Sequence, residues 1–157
     1  MAVLATLFVD TSVFVAGLIE LGDTSTASRT LLDAVATGRL TGAQSAWHCC
    51  LEFYSVATRL PSGLRVSPEL ANRMLTENII EKMVIVDLPA SARAKFFSTV
   101  AGEQVSGGRV YDAHIAEVAR LAGARTVVTG NRRHFRCLMR HGSRVLTPEQ
   151  VVEERGG

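Results

Sequence analysis

Short apolar, β-branched runs alternate along the chain with longer stretches in which apolar residues recur every three or four positions. The first pattern is typical of buried strands and the second of amphipathic helices. Strands are predicted at Leu7–Val9, Leu40–Ala43, Met83–Val86, Thr126–Thr129 and Ser143–Leu146. Helices are predicted at 13–20, 24–38, 45–60, 67–81, 89–101, 109–122, 132–140 and from 147 onward. Because strands alternate with helices, we expect an α/β fold with a central parallel sheet covered by helices on both faces.

Asp10 directly follows the first predicted strand, where Thr11 and Ser12 lead into a helix. In α/β proteins ligands bind at the carboxyl ends of parallel strands, because side chains and helix N-termini converge there. Asp10 therefore has two interpretations. It caps the following helix, or it belongs to a site at this edge of the sheet.

Two more acids lie within apolar helical patterns. Glu52 adjoins a predicted buried stripe formed by Trp47, Cys50, Leu51, Tyr54 and Thr58, and Asp112 extends the apolar face formed by Ile115, Val118, Ala119 and Ala122. Three acids from distant segments repel one another unless a divalent cation lies between them. Mg²⁺ and Mn²⁺ prefer carboxylate oxygens and water, and such a site activates water for attack on a phosphodiester. The three acids thus predict a metal site with nuclease chemistry.

A length of 157 residues, 47% of them hydrophobic, is typical of one domain with a substantial core. The net charge of +2 does not by itself indicate a nucleic-acid-binding protein. However, 15 of the 17 basic residues are Arg, and residues 118–148 contain seven Arg with no Asp or Glu. This segment is either ordinary solvated surface or a phosphate-facing patch. We expect Arg132, Arg133 and Arg136 to hold phosphates, because they follow the turn at Gly130 and Asn131.

The three cysteines, Cys49, Cys50 and Cys137, lack metal-ligand spacing, and an adjacent pair rarely forms a disulfide with itself. We expect core thiols in the reducing cytoplasm. The apolar start of the chain has no basic segment, and Asp10 interrupts it well short of a membrane span. No membrane role or export is therefore predicted.

Four motifs resemble the PIN domain: Val9-Asp10-Thr11-Ser12, Leu51-Glu52, Tyr111-Asp112-Ala113 and Val128-Thr129-Gly130-Asn131 before Phe135. The resemblance covers nearly the whole chain and is strongest to VapC-type toxin ribonucleases of bacterial and archaeal toxin–antitoxin pairs. It implies a single α/β/α sandwich over residues 1–157 and a Mg²⁺- or Mn²⁺-dependent endoribonuclease. It also implies three partners: an RNA substrate, a small inhibitory antitoxin and a second copy of the chain.

Carried over by position, the resemblance makes Asp10, Glu52 and Asp112 the metal-binding acids. Asn131 joins them as a catalytic residue at a fourth position, beside Thr129. Many members of the family have an acid where this chain has Asn131. An amide adds no negative charge, so we expect one metal ion at rest and a second only with substrate phosphate.

The predicted substrate contacts are the hydroxyls near Asp10 and the arginines after Asn131, namely Thr11, Ser12, Thr129, Arg132, Arg133 and Arg136. The four histidines share no ligand motif, which favours surface or packing roles. Two other functions stay open. An aspartyl phosphotransferase would have its second acid at Ser12, and Asn131 leaves room for a non-catalytic RNA-binding or regulatory module.

Overall fold

The computed structural model describes residues 6–19, 22, 25–139 and 141–156. Its strands are β1 (Leu7–Val9), β2 (Gln44–Ala46), β3 (Val84–Val86), β4 (Thr126–Val128) and β5 (Arg144–Leu146). Its α-helices are α1 (Thr11–Leu18), α2 (Thr26–Ala36), α3 (Trp47–Arg59), α4 (Pro68–Leu75), α5 (Arg93–Gly102), α6 (Arg109–Leu121), α7 (Arg136–Met139) and α8 (Pro148–Gly156). A π-helical turn (Thr76–Ile80) extends α4, and 3₁₀ turns precede α5 (Ala90–Ala92) and α7 (Arg132–Phe135).

All five strands are parallel and lie in the order β3-β2-β1-β4-β5. From the central strand β1 the chain builds one half of the sheet through β2 and β3, and then returns to build the other half through β4 and β5. This change of direction opens a crevice at the carboxyl ends of β1 and β4, which is where open α/β sheets bind ligands. Asp10 and Thr129 follow these two strands directly. The predicted parallel α/β sheet is confirmed.

The helices pack into two groups that flank this sheet. In the first group α1 packs against α2 and α3, α2 against α8, and α3 against α4; in the second, α6 packs against α5 and α7. The core between these layers contains four fully buried phenylalanines, Phe8, Phe14, Phe53 and Phe135. Burial of such side chains is the main favourable term in folding, at about 1.5–3 kcal/mol each. Among the described residues, no helix combines the length and apolarity needed to cross a bilayer.

The second strand lies further along the chain than predicted. Residues 40–43 belong to the exit of α2, where Leu40 N donates to Ala34 O at 2.9 Å, and β2 begins at Gln44. Sequence patterning missed this strand because it contains the polar residue Ser45 at a fully buried position. The Ser45 hydroxyl is satisfied by donating to Val9 O at 2.7 Å, so a serine fits in a buried strand.

The buried face of α3 also differs from the predicted stripe. Cys49, Cys50, Phe53 and Ala57 face the core, whereas Trp47, Leu51 and Tyr54 are exposed. Both faces of this helix are apolar, so periodicity alone could not distinguish the inner one. The expectation of core thiols holds for Cys49 and Cys50 but is wrong for Cys137, which is exposed.

The predicted basic helix 132–140 is broken into a 3₁₀ turn and the four-residue helix α7. Three predicted helix ends, Glu20, Thr24 and Arg140, lie outside the described residues.

Candidate active site

Asp10 caps α1 and is fixed by hydroxyl groups from two different segments. Its Oδ2 accepts hydrogen bonds from Ser12 Oγ at 2.7 Å and from Thr129 Oγ1 at 2.8 Å, and a longer one from Ser12 N at 3.4 Å. Its backbone N–H donates to Val128 O at 3.0 Å, which joins it to β4. The capping interpretation is thus confirmed, and the same side chain lies at the crevice between β1 and β4.

The two carboxylate oxygens of Asp10 are in different situations. All three hydrogen bonds fall on Oδ2, and no described residue donates to Oδ1. The residue is only 6% exposed. Burial raises the pKa of Asp10, hydrogen bonds from Ser12 and Thr129 lower it, and the negative charge of Glu52 raises it further. The ionised carboxylate is therefore held here at an energetic cost.

The hydroxyls near Asp10 serve mainly as its support. Ser12 Oγ accepts from Gly130 N at 2.9 Å, and Thr129 Oγ1 accepts from Asn131 N at 3.0 Å. Thr129 is fully buried, and the buried hydroxyl of Thr11 lies against the Cys49 thiol. Of the predicted substrate contacts, Thr11, Ser12 and Thr129 thus make internal contacts that build the crevice.

One buried thiol, that of Cys49, lies close to Asp10, and the buried Cys50 follows it on α3. Burial, reinforced by the negative charge of Asp10, raises the pKa of Cys49 to about 12, and burial raises that of Cys50 to about 11. Both remain protonated near neutral pH, and only the thiolate is a good nucleophile. These cysteines contribute packing to the site.

Glu52 projects from α3 beside His48, one helical turn earlier. Its Oε1 lies 3.2 Å from His48 Nε2, yet this oxygen is buried and has no hydrogen bond of acceptable geometry. The side chain as a whole is 38% exposed, so the second oxygen faces solvent. A buried oxygen without a donor is costly unless a cation or a water fills the gap.

Asp112 lies in the first turn of α6, with Oδ2 at 3.4 Å from His134 Nδ1. Burial raises the pKa of this half-buried acid. A proton on the nearby His134 lowers the pKa of Asp112, and the negative charge of Glu52 raises it. Glu52 therefore acts electrostatically on both Asp10 and Asp112, so the three predicted acids share one region. Within the described ranges, however, no three His, Cys, Asp or Glu side chains are gathered into a ready metal-binding group.

Asn131 follows β4 and precedes the 3₁₀ turn at 132–135. Its backbone (φ −122°, ψ 66°) is neither helical nor extended, and its exposed side chain does not cap the turn. Because Asn131 N donates to Thr129 Oγ1, which donates to Asp10 Oδ2, this residue is two hydrogen bonds from the buried acid. The amide is thus placed beside the crevice with its polar atoms free to contact a ligand.

A cleft of about 730 Å³ runs along Asp112. We call it the arginine cleft, because Arg109, Arg133 and Arg136 line it together with His134 and two acids, Glu103 and Asp112. Guanidinium groups bind phosphate oxygens in a two-pronged geometry, so the cleft suits a phosphate backbone.

The three arginines predicted to face phosphates are placed differently. Arg133 and Arg136 line the arginine cleft, whereas Arg132 Nε donates to Val145 O at 3.1 Å and so lies against β5. Arg109 was not among the phosphate contacts predicted from the sequence, although its position three residues before Asp112 places it on the same face of α6.

The sequence profile of the PIN domain matches residues 6–133, which is most of the chain. The chain belongs to the PIN-domain family. Among curated relatives of this PIN domain, ribonuclease VapC40 of Mycobacterium tuberculosis is 30% identical over 116 residues, which cover 74% of this chain and 80% of that protein. Ribonuclease VapC27 of the same species is 37% identical over 73 residues, 46% of this chain. That match spans only half the length of VapC27.

The fold of this PIN domain also matches solved structures. One is VapBC2 from Rickettsia felis, described as bound to a DNA fragment from their promoter, with a TM-score of 0.61 and 14% identity. The match covers 90% of this chain and 98% of that chain. At this identity the comparison establishes the fold, and it confirms the α/β/α sandwich that the motifs imply.

The histidines of this PIN domain are closer to the acids than their lack of a ligand motif suggested. His48 lies beside Glu52, and His134 beside Asp112. A sequence signal existed only for His48, which precedes Glu52 by four residues and therefore shares its helix face. His134 is brought to Asp112 by the packing of α6 against the 3₁₀ turn, which no local pattern encodes.

Proposed function

We propose that this PIN domain is a divalent-metal-dependent endoribonuclease and the toxin of a VapBC-type toxin–antitoxin pair. The observation that carries the proposal is the state of Asp10: its Oδ2 is held by three hydrogen bonds, and its Oδ1 receives none from the described residues. A carboxylate fixed through one oxygen and open at the other is oriented to ligate a cation. The ribonuclease names of the VapC relatives support RNA as the substrate.

Mg²⁺ or Mn²⁺ would be held by Asp10, Glu52 and Asp112. The donor set fits, because it consists of carboxylates and includes the buried Glu52 Oε1 without a hydrogen bond. The three groups are not gathered as ligands among the described residues, so their side chains must turn toward the ion. Repulsion by Glu52, which raises the pKa of Asp10 and of Asp112, opposes their convergence without a cation. When bound, the metal would polarise the phosphodiester and lower the pKa of the attacking water.

The remaining residues bind and orient in this proposal. Ser12 and Thr129 keep Asp10 in one rotamer, which avoids reorganisation when the site is loaded. Arg133 and Arg136 hold phosphates of the RNA in the arginine cleft. The amide oxygen of Asn131 accepts a hydrogen bond from a water at the fourth position.

The proposed partners are a small antitoxin and a second copy of the chain. Support for the antitoxin comes from the structural match to VapBC2, and the homodimer is carried over from the family resemblance. We further propose a cytoplasmic location, which suits an RNA substrate and the protonated thiols of Cys49 and Cys50.

A non-catalytic RNA-binding module is the second candidate. Two observations favour it: Asn131 stands where many family members have an acid, and the described residues hold no assembled group of three metal ligands. The aspartyl phosphotransferase has less support, because Ser12 replaces its second acid and donates its hydroxyl to Asp10.

The deciding experiment compares three proteins on total RNA with Mg²⁺, with Mn²⁺ and with EDTA. The variants are Asp112→Asn and, as a matched control on the same helix, Glu117→Gln, whose carboxylate pairs with Arg120 at 2.6 Å instead of facing the crevice. We expect the wild type and Glu117→Gln to cleave only with metal. Asp112→Asn should lose activity by more than about 100-fold.

Two results would contradict the enzyme proposal. Undiminished cleavage by Asp112→Asn would show that Asp112 is not part of the active site, and cleavage in EDTA would show that the reaction needs no metal ion. RNA binding without cleavage under every condition would favour the second candidate.

A further inference from the structure

A second groove, of about 500 Å³, adjoins the acids. We call it the aromatic groove. Its volume falls within the range of about 300–1,000 Å³ found for small-molecule sites. Five rings and one guanidinium line it: His48, Phe96, Phe97, Tyr111, His114 and Arg93.

The rings of the aromatic groove are arranged in contact with one another. His48 stacks on Tyr111 with centroids 5.5 Å apart and planes 17° apart, while His114 meets His48 edge-on at 5.2 Å. Phe97 packs against Phe96 at 5.5 Å. Yet Tyr111 is 57% exposed and Phe97 is 65% exposed. The two outer rings thus present aromatic surface to solvent, on a support of packed rings.

The aromatic groove lies directly beside the proposed active site. His48 lies 3.2 Å from Glu52, and Tyr111 immediately precedes Asp112. On the first turns of α6, Asp112 and Ala113 face the arginine cleft, whereas Tyr111 and His114 face the aromatic groove. One helix therefore separates a surface suited to phosphates from a surface suited to flat apolar rings.

We infer that the aromatic groove binds an unpaired base of the RNA whose phosphates occupy the arginine cleft. This inference rests on the proposed function, and it assigns a base-binding site next to the phosphate-binding cleft. Proteins bind unpaired RNA bases by stacking them on aromatic side chains and arginine planes and by hydrogen bonding to their edges. Phe97 and Tyr111 offer the stacking surface, and Arg93 and Asp87 at the groove supply a donor and an acceptor.

The test measures binding in EDTA, so that the RNA stays intact. The probes are fluorescent oligoadenylate and an abasic ribose-phosphate chain of equal length and charge. The variants are Tyr111→Leu and Phe97→Leu. Tyr54→Leu removes an exposed tyrosine outside the groove and is the matched control, and Tyr111→Phe restores the ring.

We expect Tyr111→Leu and Phe97→Leu to raise the Kd for oligoadenylate by roughly 5- to 150-fold each, the range for loss of one stacked base. Their Kd for the abasic chain should stay unchanged, which also shows that the variants are folded. Tyr54→Leu and Tyr111→Phe should bind both probes like the wild type. A 4-thiouridine probe should crosslink to the peptide that contains Tyr111 or the one that contains Phe97.

Equal Kd values of Tyr111→Leu and the wild type for oligoadenylate would overturn the inference and favour a protein partner in the groove. Equal weakening for both probes would also overturn it, because the effect would then not depend on a base. The proposed function fails on a different readout, namely the absence of metal-dependent cleavage by the wild type. The base-dependent difference in Kd is measured without metal, so the two failures are distinguishable.

Discussion

Replacing Asp10 by Asn should stabilise the metal-free protein near neutral pH. Burial raises the pKa of Asp10, which means that the folded state disfavours its ionised form relative to the unfolded chain. Stability is therefore lost as the pH rises from the unfolded pKa of Asp10 to its raised folded pKa, and the loss is complete above the folded pKa. Asparagine has the same shape, and its amide oxygen can still accept from Ser12 and Thr129.

The expected magnitude comes from two opposing effects. Each hydroxyl bond to a charged acceptor is stronger than one to a neutral acceptor by about 1 kcal/mol, so weakening the bonds from Ser12 and Thr129 costs about 2 kcal/mol. Relief of burying an unpaired charge gains several kcal/mol. Because the pKa is raised despite these hydrogen bonds, the second effect is larger. A net gain of about 1–3 kcal/mol, or roughly 2–10 °C in Tm, is expected.

Thermal melts in EDTA and in saturating Mg²⁺ measure this effect. In EDTA Asp10→Asn should melt above the wild type. In Mg²⁺ at about 1,000 times its Kd the order should reverse, because binding then stabilises the wild type by about 4.1 kcal/mol. The control is Asp33→Asn, an exposed acid on α2, which should change stability by less than about 0.5 kcal/mol. A Tm of Asp10→Asn below that of the wild type in EDTA would refute the electrostatic reasoning. A wild-type Tm that does not change on addition of Mg²⁺ would refute the metal site.

Two other perturbations test the arginine cleft and the fourth position. Changing Arg133 and Arg136 together to Gln should weaken RNA binding and reduce the slope of log Kd against log salt concentration by about 1.4. The control Arg132→Gln, which removes a hydrogen bond to β5, should change this slope less. Fluorescence anisotropy at several salt concentrations measures the slope, and an unchanged slope for the double variant would show that the cleft does not bind phosphates. Asn131→Asp should tighten metal binding without RNA, and Asn131→Ala should lower turnover less than Asp112→Asn does. Calorimetric titration together with turnover assays measures both effects, and two tight metal sites in the RNA-free wild type would show that the charge argument is wrong.

The position of Asp10 could be predicted from the sequence, because a strand that ends on an acid and two hydroxyls is a local pattern. The convergence of Glu52 and Asp112 toward it stays a prediction from the chemistry of acids in apolar helices: Glu52 acts electrostatically on both other acids, but the described residues hold no assembled metal-binding group. Both inferences depend on side chains near predicted helix starts or buried faces, where local periodicity carries information.

Other parts of the site depend on packing that periodicity does not encode. The inner face of α3 was assigned to a stripe that includes Trp47 and Leu51, but Cys49, Phe53 and Ala57 face the core instead, because both faces of the helix are apolar. The pairing of His134 with Asp112 likewise requires the three-dimensional structure. A hydrogen-bonded serine such as Ser45 also hides a buried strand from any test based on hydrophobicity.

One of the two hydroxyls that fix Asp10 comes from Thr129, 119 residues later in the chain. During synthesis at about 5–20 residues per second, roughly 6–24 s separate the appearance of the acid from that of its support. Throughout this interval β4 is missing, and the crevice between β1 and β4 does not exist. If the proposed function is correct, a nascent chain on the ribosome should lack nuclease activity until β4 has emerged, which spares the RNA near the ribosome during synthesis.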